Sequence, residues 1–342
     1  MKNTWIVEKN GFDTPDIELN GSKFLIGNGY MGYRGTMEEY RAKQLVAVNL
    51  AGFFDLADGQ TWRESVNAPN PIYTSMSFKD KELNTAQFKP ASHKQILDIK
   101  NGLHRRKTTF SVNDVNITVR AERFVSMARE NIIALKYTVT ADKNIELSLK
   151  TGIDCDIWNL SGTHLKYLSS TDCGNSFKLM METVQLKNKL VIYESVAGLT
   201  GCINSTENSL IHNAEIKLTA NEEYEFTKLG GVFHSEALDS ADEIFASAVN
   251  LGYDVLKSEH MAAWERIWNN SDIVIEGDEE AQTAIRYSIY HLCSIAPHNN
   301  DRCGIPARGL LVRFIRARLS GIPRCLCCRF LVLPMKKLPK IL

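Results

Sequence analysis

The strongest constraint on this chain is a period of two. In the stretch NIELSLKTGID, apolar Ile145, Leu147, Leu149 and Ile153 alternate with Glu146, Ser148 and Lys150, the pattern of a strand with one buried face. The same β-branched and aromatic alternation recurs in FSVNDVNITVRAERFVS, NIIALKYTVTA, FKLMMETVQLKNKLVIYES and NAEIKLTANEEYEFTKLGGVF, broken by Asn, Asp, Gly or Lys-Asn turns. Many short strands at regular spacing predict a sandwich of antiparallel sheets over roughly residues 1–235.

Near Ser240 the period changes. SADEIFASAVNLGYDVLKSEHMAAWERIW opens with Ser240 and Glu243 in capping-box spacing and continues as a helix, with Trp264 and Trp268 four apart on one face. SDIVIEGDEEAQTAIRYSIYHLCSIAP then gives a short apolar strand and a second helix, with Asp278 as its N-cap, Glu279 and Glu280 at the positive end of its dipole, and Pro297 ending it. Ala281, Ile285, Ile289, Leu292 and Ala296 form its apolar stripe. Few residues remain to cover that stripe, so the chain is expected to stop before a second domain is built, leaving the stripe without barrel partners.

Composition narrows the function classes. The formal net charge is zero, yet residues 311–342 carry eight Lys and Arg and no Asp or Glu, so the rest holds 32 basic against 40 acidic residues. A body at about −8 argues against nucleic acid or an anionic membrane as partner. The N-terminus lacks an apolar targeting core, no run approaches a membrane span, and a cytoplasmic protein is expected. Cys155, Cys173, Cys202, Cys293 and Cys303 lack metal-ligand spacing and read as reduced thiols.

Three stretches carry a family resemblance. FLIGNGYMGYRGTMEEY (residues 24–40) resembles the signature near the start of glycoside hydrolase family 65, the disaccharide phosphorylases acting on maltose, trehalose, kojibiose or nigerose. AWERIWNNSDIVIEGDEEAQTAIRYSIYHL (263–292) resembles its linker and first barrel helix, and GIPARGL (304–310) the loop that follows. The resemblance covers residues 1–310 and implies a mainly β super-sandwich, a helical linker and an (α/α)6 catalytic barrel, here truncated at its first helix. The expected division is 1–255 sandwich, 256–277 linker, 278–310 start of the barrel, and 311–342 an aberrant basic tail. The intact enzyme is expected to be a homodimer that takes a disaccharide and inorganic phosphate as co-substrate, without organic cofactor or metal. A family hydrolase and a stand-alone carbohydrate-binding sandwich are the alternatives, the latter recognisable if Trp62, Trp158 and Tyr167 line up on one surface.

The tail departs from the family. After GIPARGL the family continues as Gly-Glu-x-Tyr-x-Gly, then Phe-Trp-Asp-Thr-Glu and a stretch ending Leu-Pro-Phe. Codons can be chosen for this tail that contain all three one base out of register: Leu319 to Arg324 written CTT-TCT-GGG-ATA-CCG-AGA contains TTC-TGG-GAT-ACC-GAG, which is Phe-Trp-Asp-Thr-Glu. The same shift turns Val312–Ala317 into Gly-Glu-Val-Tyr-Lys-Gly and Cys325–Phe330 into Leu-Met-Leu-Pro-Phe. A change of reading frame at about Leu310 is therefore expected. A genuine basic amphipathic tail is the competing reading, and Cys325, Cys327 and Cys328 are too crowded for a zinc motif.

The resemblance implies that the general acid Glu, the phosphate-binding groups and the glucosyl-holding Trp-Asp lie beyond residue 310, so no catalytic residue is nominated. Arg308 and Gly309 are the substrate-loop candidates, Arg308 contacting a sugar hydroxyl or pairing with a carboxylate. Gly27, Gly29, Gly32 and Gly35 indicate a tight backbone rather than a phosphate cradle, and Arg34 with Glu38 is expected as a structural pair, with active-site rim contacts or the dimer interface as the alternative. His291 reads as a packed side chain, while His164 and His234 have no partner visible in sequence. Asp154 and Asp156 could hold a cation, a solvated loop being the simpler reading.

Overall fold

A computed structural model describes residues 3–299, 303 and 304, apart from 57, 58, 60, 200–203 and 206–209. The period-two segments form strands, and every strand pairing is antiparallel. The largest sheet has nine strands, in the order Ile6–Asn10, Ser92–Asp98, Leu103–Val112, Val115–Val125, Ile132–Ala141, Tyr224–His234, Lys189–Ala197, Ser176–Thr183 and Leu165–Asp172. A second sheet orders Asn204–Ser205, Ile211–Leu218, Ile145–Asp154, Asn70–Phe78 and Lys81–Glu82; a third holds Ile26–Gly27, Met31–Tyr33, Val48–Leu56 and Arg63–Ala68.

One core lies between the large sheet and the two smaller ones. Leu135, Val139, Ile192 and Phe226 meet Met76, Leu147, Leu149 and Ile216 there. Alternation explains the second core, on the outer face of the large sheet: Ile132, Ala134, Val191 and Phe233 point outward and are covered by Phe245, Ala248, Tyr253 and Leu256. These covering residues belong to helix α2 (Ala241–Ser271), which follows the short α1 (Ile17–Lys23) and kinks at Gly252, where φ is +73°. The expected boundary at residue 255 thus falls inside α2. The capping box expected at its start is not formed, because Ser240 makes no side-chain capping hydrogen bond.

Helix α3 (Glu279–Ile295) begins as expected. The Asp278 carboxylate accepts from the Glu280 and Ala281 N–H groups, and the C-cap falls at Ala296, just before Pro297. Its buried face differs from the expected apolar stripe and packs on the sandwich and α2. Gln282, Arg286, Ile289, Tyr290 and Cys293 form the buried face, while Ala281, Ile285 and Leu292 stay half-buried. The helix is rotated about one position from the apolar stripe because polar Gln282 and Arg286 have bonds to make inside. Arg286 pairs with Asp272 at 2.8 Å and lies 3.7 Å over the Trp5 ring, a cation–π contact.

Candidate functional site

The candidate site of this chain is the Phe24–Tyr40 signature and what rests on it. Strands Ile26–Gly27 and Met31–Tyr33 are joined by a loop that Asn28 organises: its Oδ1 accepts from the Tyr30 and Met31 N–H groups at 3.0 and 2.8 Å. Its Nδ2 donates to the Ser126 and Glu130 carbonyls at 2.7 and 2.9 Å, so all of its amide capacity is used. The end of α3 lies on this loop, with the Gly29 N–H donating to the Ser294 carbonyl at 2.8 Å. At Gly29 φ is +85°, and a Cβ there would sit 1.8 Å from the Ala296 oxygen. Glycine is required on both counts.

A Gly29→Ala substitution therefore tests whether the signature is the seat of α3. It combines left-handed backbone strain with backbone overpacking, and about 2–4 kcal/mol of destabilisation is expected. Urea melts of the two proteins check it; an unchanged midpoint contradicts the contact.

Further up α3, aromatic residues fasten the helix. Tyr287 and Tyr290 donate their hydroxyls to the Lys23 and Leu25 carbonyls at 2.9 and 3.3 Å. Tyr290 stacks on the fully buried Trp264 at 4.9 Å, and Trp264 on Trp268 at 6.0 Å. The two tryptophans are packing residues, and the Trp268 indole N–H is taken by the Lys100 carbonyl.

Beneath the signature lies a buried charge lattice. Glu38 meets the Arg123 guanidinium at 2.5 Å and Arg106 Nε at 2.6 Å, and Glu39 accepts from Arg106 at 2.6 and 3.1 Å. The Arg106–Glu38 contact is a close ion pair rather than an aligned hydrogen bond. Arg123 also donates to the Thr36 carbonyl and lies 4.9 Å over the Tyr33 ring. All four charged residues are at most 3 % exposed, so none can touch a sugar. Burial raises the Glu39 pKa, opposed by Arg106; burial also works against the charge on Arg106, but Glu38 and Glu39 outweigh it and raise its pKa.

The expected Arg34–Glu38 pair is corrected by this lattice: Arg34 instead donates to the Glu18 carbonyl at 2.6 Å, and burial lowers its pKa to about 10. Asp154 and Asp156 flank a cation of the protein itself, Arg41, which lies 2.7 Å from Asp154 and 3.8 Å from Asp156. His164 does have partners. Its ring nitrogens lie 3.2 Å from Asp55 and 3.4 Å from Glu64, which brace the 155–164 loop against strands Val48–Leu56 and Arg63–Ala68. His234 stacks on Tyr30, and His291 lies edge-on to Tyr287 and Tyr290. Of the aromatics named for a carbohydrate-binding surface, Trp62 and Trp158 are half-buried, with the Trp158 N–H bonded to the Val46 carbonyl, while Tyr167 is 55 % exposed. Arg308 and Gly309 lie outside the described residues. Among the described residues no group of His, Cys, Asp and Glu is placed to hold a metal ion.

The contacts missed in sequence are Arg106 and Arg123. The arrangement as a whole positions rather than reacts: the glycine loop seats the end of α3, and the charge lattice holds the signature from beneath. Comparison with known proteins gives this scaffold its family. Residues 7–267 match the family description "Glycosyl hydrolase family 65, N-terminal domain". The chain belongs to glycoside hydrolase family 65. It is 36 % identical over 338 residues to the nigerose phosphorylase of Lachnoclostridium phytofermentans, covering 90 % of this chain and 44 % of that protein. The 1,2-alpha-glucosylglycerol phosphorylase of Bacillus selenitireducens is 28 % identical, with 90 % of this chain and 41 % of the relative covered.

The fold agrees. A solved structure described as a kojibiose phosphorylase from the human microbiome superposes with a TM-score of 0.79 at 21 % identity, over 85 % of this chain and 42 % of that one. The chain thus spans less than half the length of the family 65 relatives it matches, and it corresponds to the N-terminal part of a phosphorylase-type protein.

Proposed function

We propose that this chain is the scaffold half of an inverting disaccharide phosphorylase, which converts an α-glucoside and phosphate into β-glucose 1-phosphate and a free sugar. The observation that carries the reading is the docking of α3 on the signature in a chain whose family 65 relatives are named as phosphorylases. In such a reaction a protonated Glu donates to the glycosidic oxygen while the nucleophile attacks the anomeric carbon from the opposite face. Phosphate is already an anion, so binding groups suffice where a hydrolase needs a second carboxylate to activate water. The reaction draws on no organic cofactor or metal.

In this reading the general acid and the phosphate site lie beyond residue 310, and the intact enzyme works as a cytoplasmic homodimer. Among the described residues no helix is long and apolar enough to cross a membrane. The frame change at about Leu310 is part of the proposal. Several relatives cover nine-tenths of this chain, and the basic tail is 32 of its 342 residues.

The test is an assay of the purified 342-residue chain with maltose, kojibiose, nigerose or trehalose and inorganic phosphate. No glucose 1-phosphate is expected. Phosphate-dependent turnover that persists through purification overturns the placement of the catalytic groups.

A further inference from the structure

Between α2 and α3 the chain runs extended and leaves three consecutive large apolar side chains in solvent: Ile273 at 38 %, Val274 at 69 % and Ile275 at 36 % exposure. Such a run costs solubility unless something covers it. Its backbone is held on one edge only. The Gln282 amide donates to the Ile273 carbonyl at 2.8 Å and accepts from the Ile275 N–H at 2.6 Å, as a neighbouring strand would. In an extended chain the N–H and C=O of Val274 point to the opposite edge. Among the described residues they have no hydrogen-bond partner.

The flanks restrict what can pair there. Asp272 precedes the run, and Glu276, Asp278, Glu279 and Glu280 follow it. Asp272, which a second copy paired antiparallel about Val274 would set opposite Glu276, is already taken by Arg286, so the acidic flank that an occupant meets is the 276–280 side. The fitting occupant is an extended apolar segment with Lys or Arg at the end that meets this flank.

Resting on the reading under Proposed function, we propose that Ile273–Ile275 is a strand-docking seat for such a segment, supplied by the part of the parent polypeptide that the relatives carry beyond the region matched here. Gln282 pre-orders the seat, so docking adds a strand to an edge already extended. The more than half of each relative's length lying outside this match is the source of the occupant.

Hydrogen exchange of the 272–277 segment, measured in the 342-residue chain and in the frame-restored parent, tests this. The Val274 amide should exchange freely in the chain and at least about 100-fold more slowly in the parent. Val274→Lys should restore fast exchange in the parent and leave the melting temperature of the chain unchanged. Equal exchange in both proteins, protection already present in the chain, or DNA with no family-like frame downstream each overturns the seat. Phosphorolysis by the wild-type parent is scored separately: an inactive parent that still protects the segment sinks the phosphorylase reading alone, and an active parent without protection sinks the seat alone.

Discussion

Acidification from pH 7 will unfold the sandwich cooperatively at about pH 5. Burial lowers the pKa of His93, His212, His234, His260 and His291 to about 4, and that of His104 well below its ordinary value. Each folded-state pKa is thus depressed below the unfolded value near 6.5. Between pH 6.5 and 4 the unfolded chain binds protons that the folded chain refuses, so stability is full above this window and falls as the pH drops through it. Each of the five histidines held at about 4 forfeits up to about 3.5 kcal/mol across the window, at about 1.4 kcal/mol per unit. A domain holds about 5–15 kcal/mol in all, so part of the effect is enough. Near-ultraviolet circular dichroism against pH checks this, and a native spectrum at pH 4 contradicts it.

Glu38→Gln is expected to cost about 3–5 kcal/mol. The change keeps volume and shape but leaves buried Arg106 with Glu39 alone and buried Arg123 with only the Thr36 and Arg34 carbonyls among the described residues. Removing one partner from a buried ion lattice exposes the full desolvation cost of the other. Substitution of Asp254, an exposed partner of Lys136, makes the control and should leave the denaturation midpoint in place. A Glu38→Gln protein as stable as the wild type would mean that the lattice is not the brace beneath the signature.

The sheets were legible in sequence because a half-buried strand repeats every two residues, and Asp278 because an N-cap acts locally. The charge lattice is not local: Glu38 and Arg123 are 85 positions apart. A parity signal for it was nevertheless present. Arg106 shares strand phase with Phe110 and Val112, and Arg123 with Ile117, Val119 and Ala121, all buried. Arginine on the inward phase demands a buried carboxylate, and the consecutive Glu38 and Glu39 supply it.

The rotation of α3 escaped the apolar stripe for a related reason. Gln282 and Arg286 look like solvent-facing residues in sequence, yet they are drawn inward by Ile273, Ile275 and Asp272, none of them identifiable as partners from helical spacing. Likewise Ser240 has the sequence of a capping box but a backbone at φ −110°, ψ 11°, outside the extended geometry typical of an N-cap, and its hydroxyl makes no cap.

The most direct test of the central claim, that this chain is the scaffold of a family 65 phosphorylase whose reading frame changes at about Leu310, is sequencing of the encoding DNA from the codon for Asp301 to several hundred bases past Leu342. The predicted result is that a one-base shift restores Gly-Glu-Val-Tyr-Lys-Gly and Phe-Trp-Asp-Thr-Glu and opens a long family-like frame. A downstream sequence with no such frame in any register contradicts it, and the basic tail is then a genuine part of the protein.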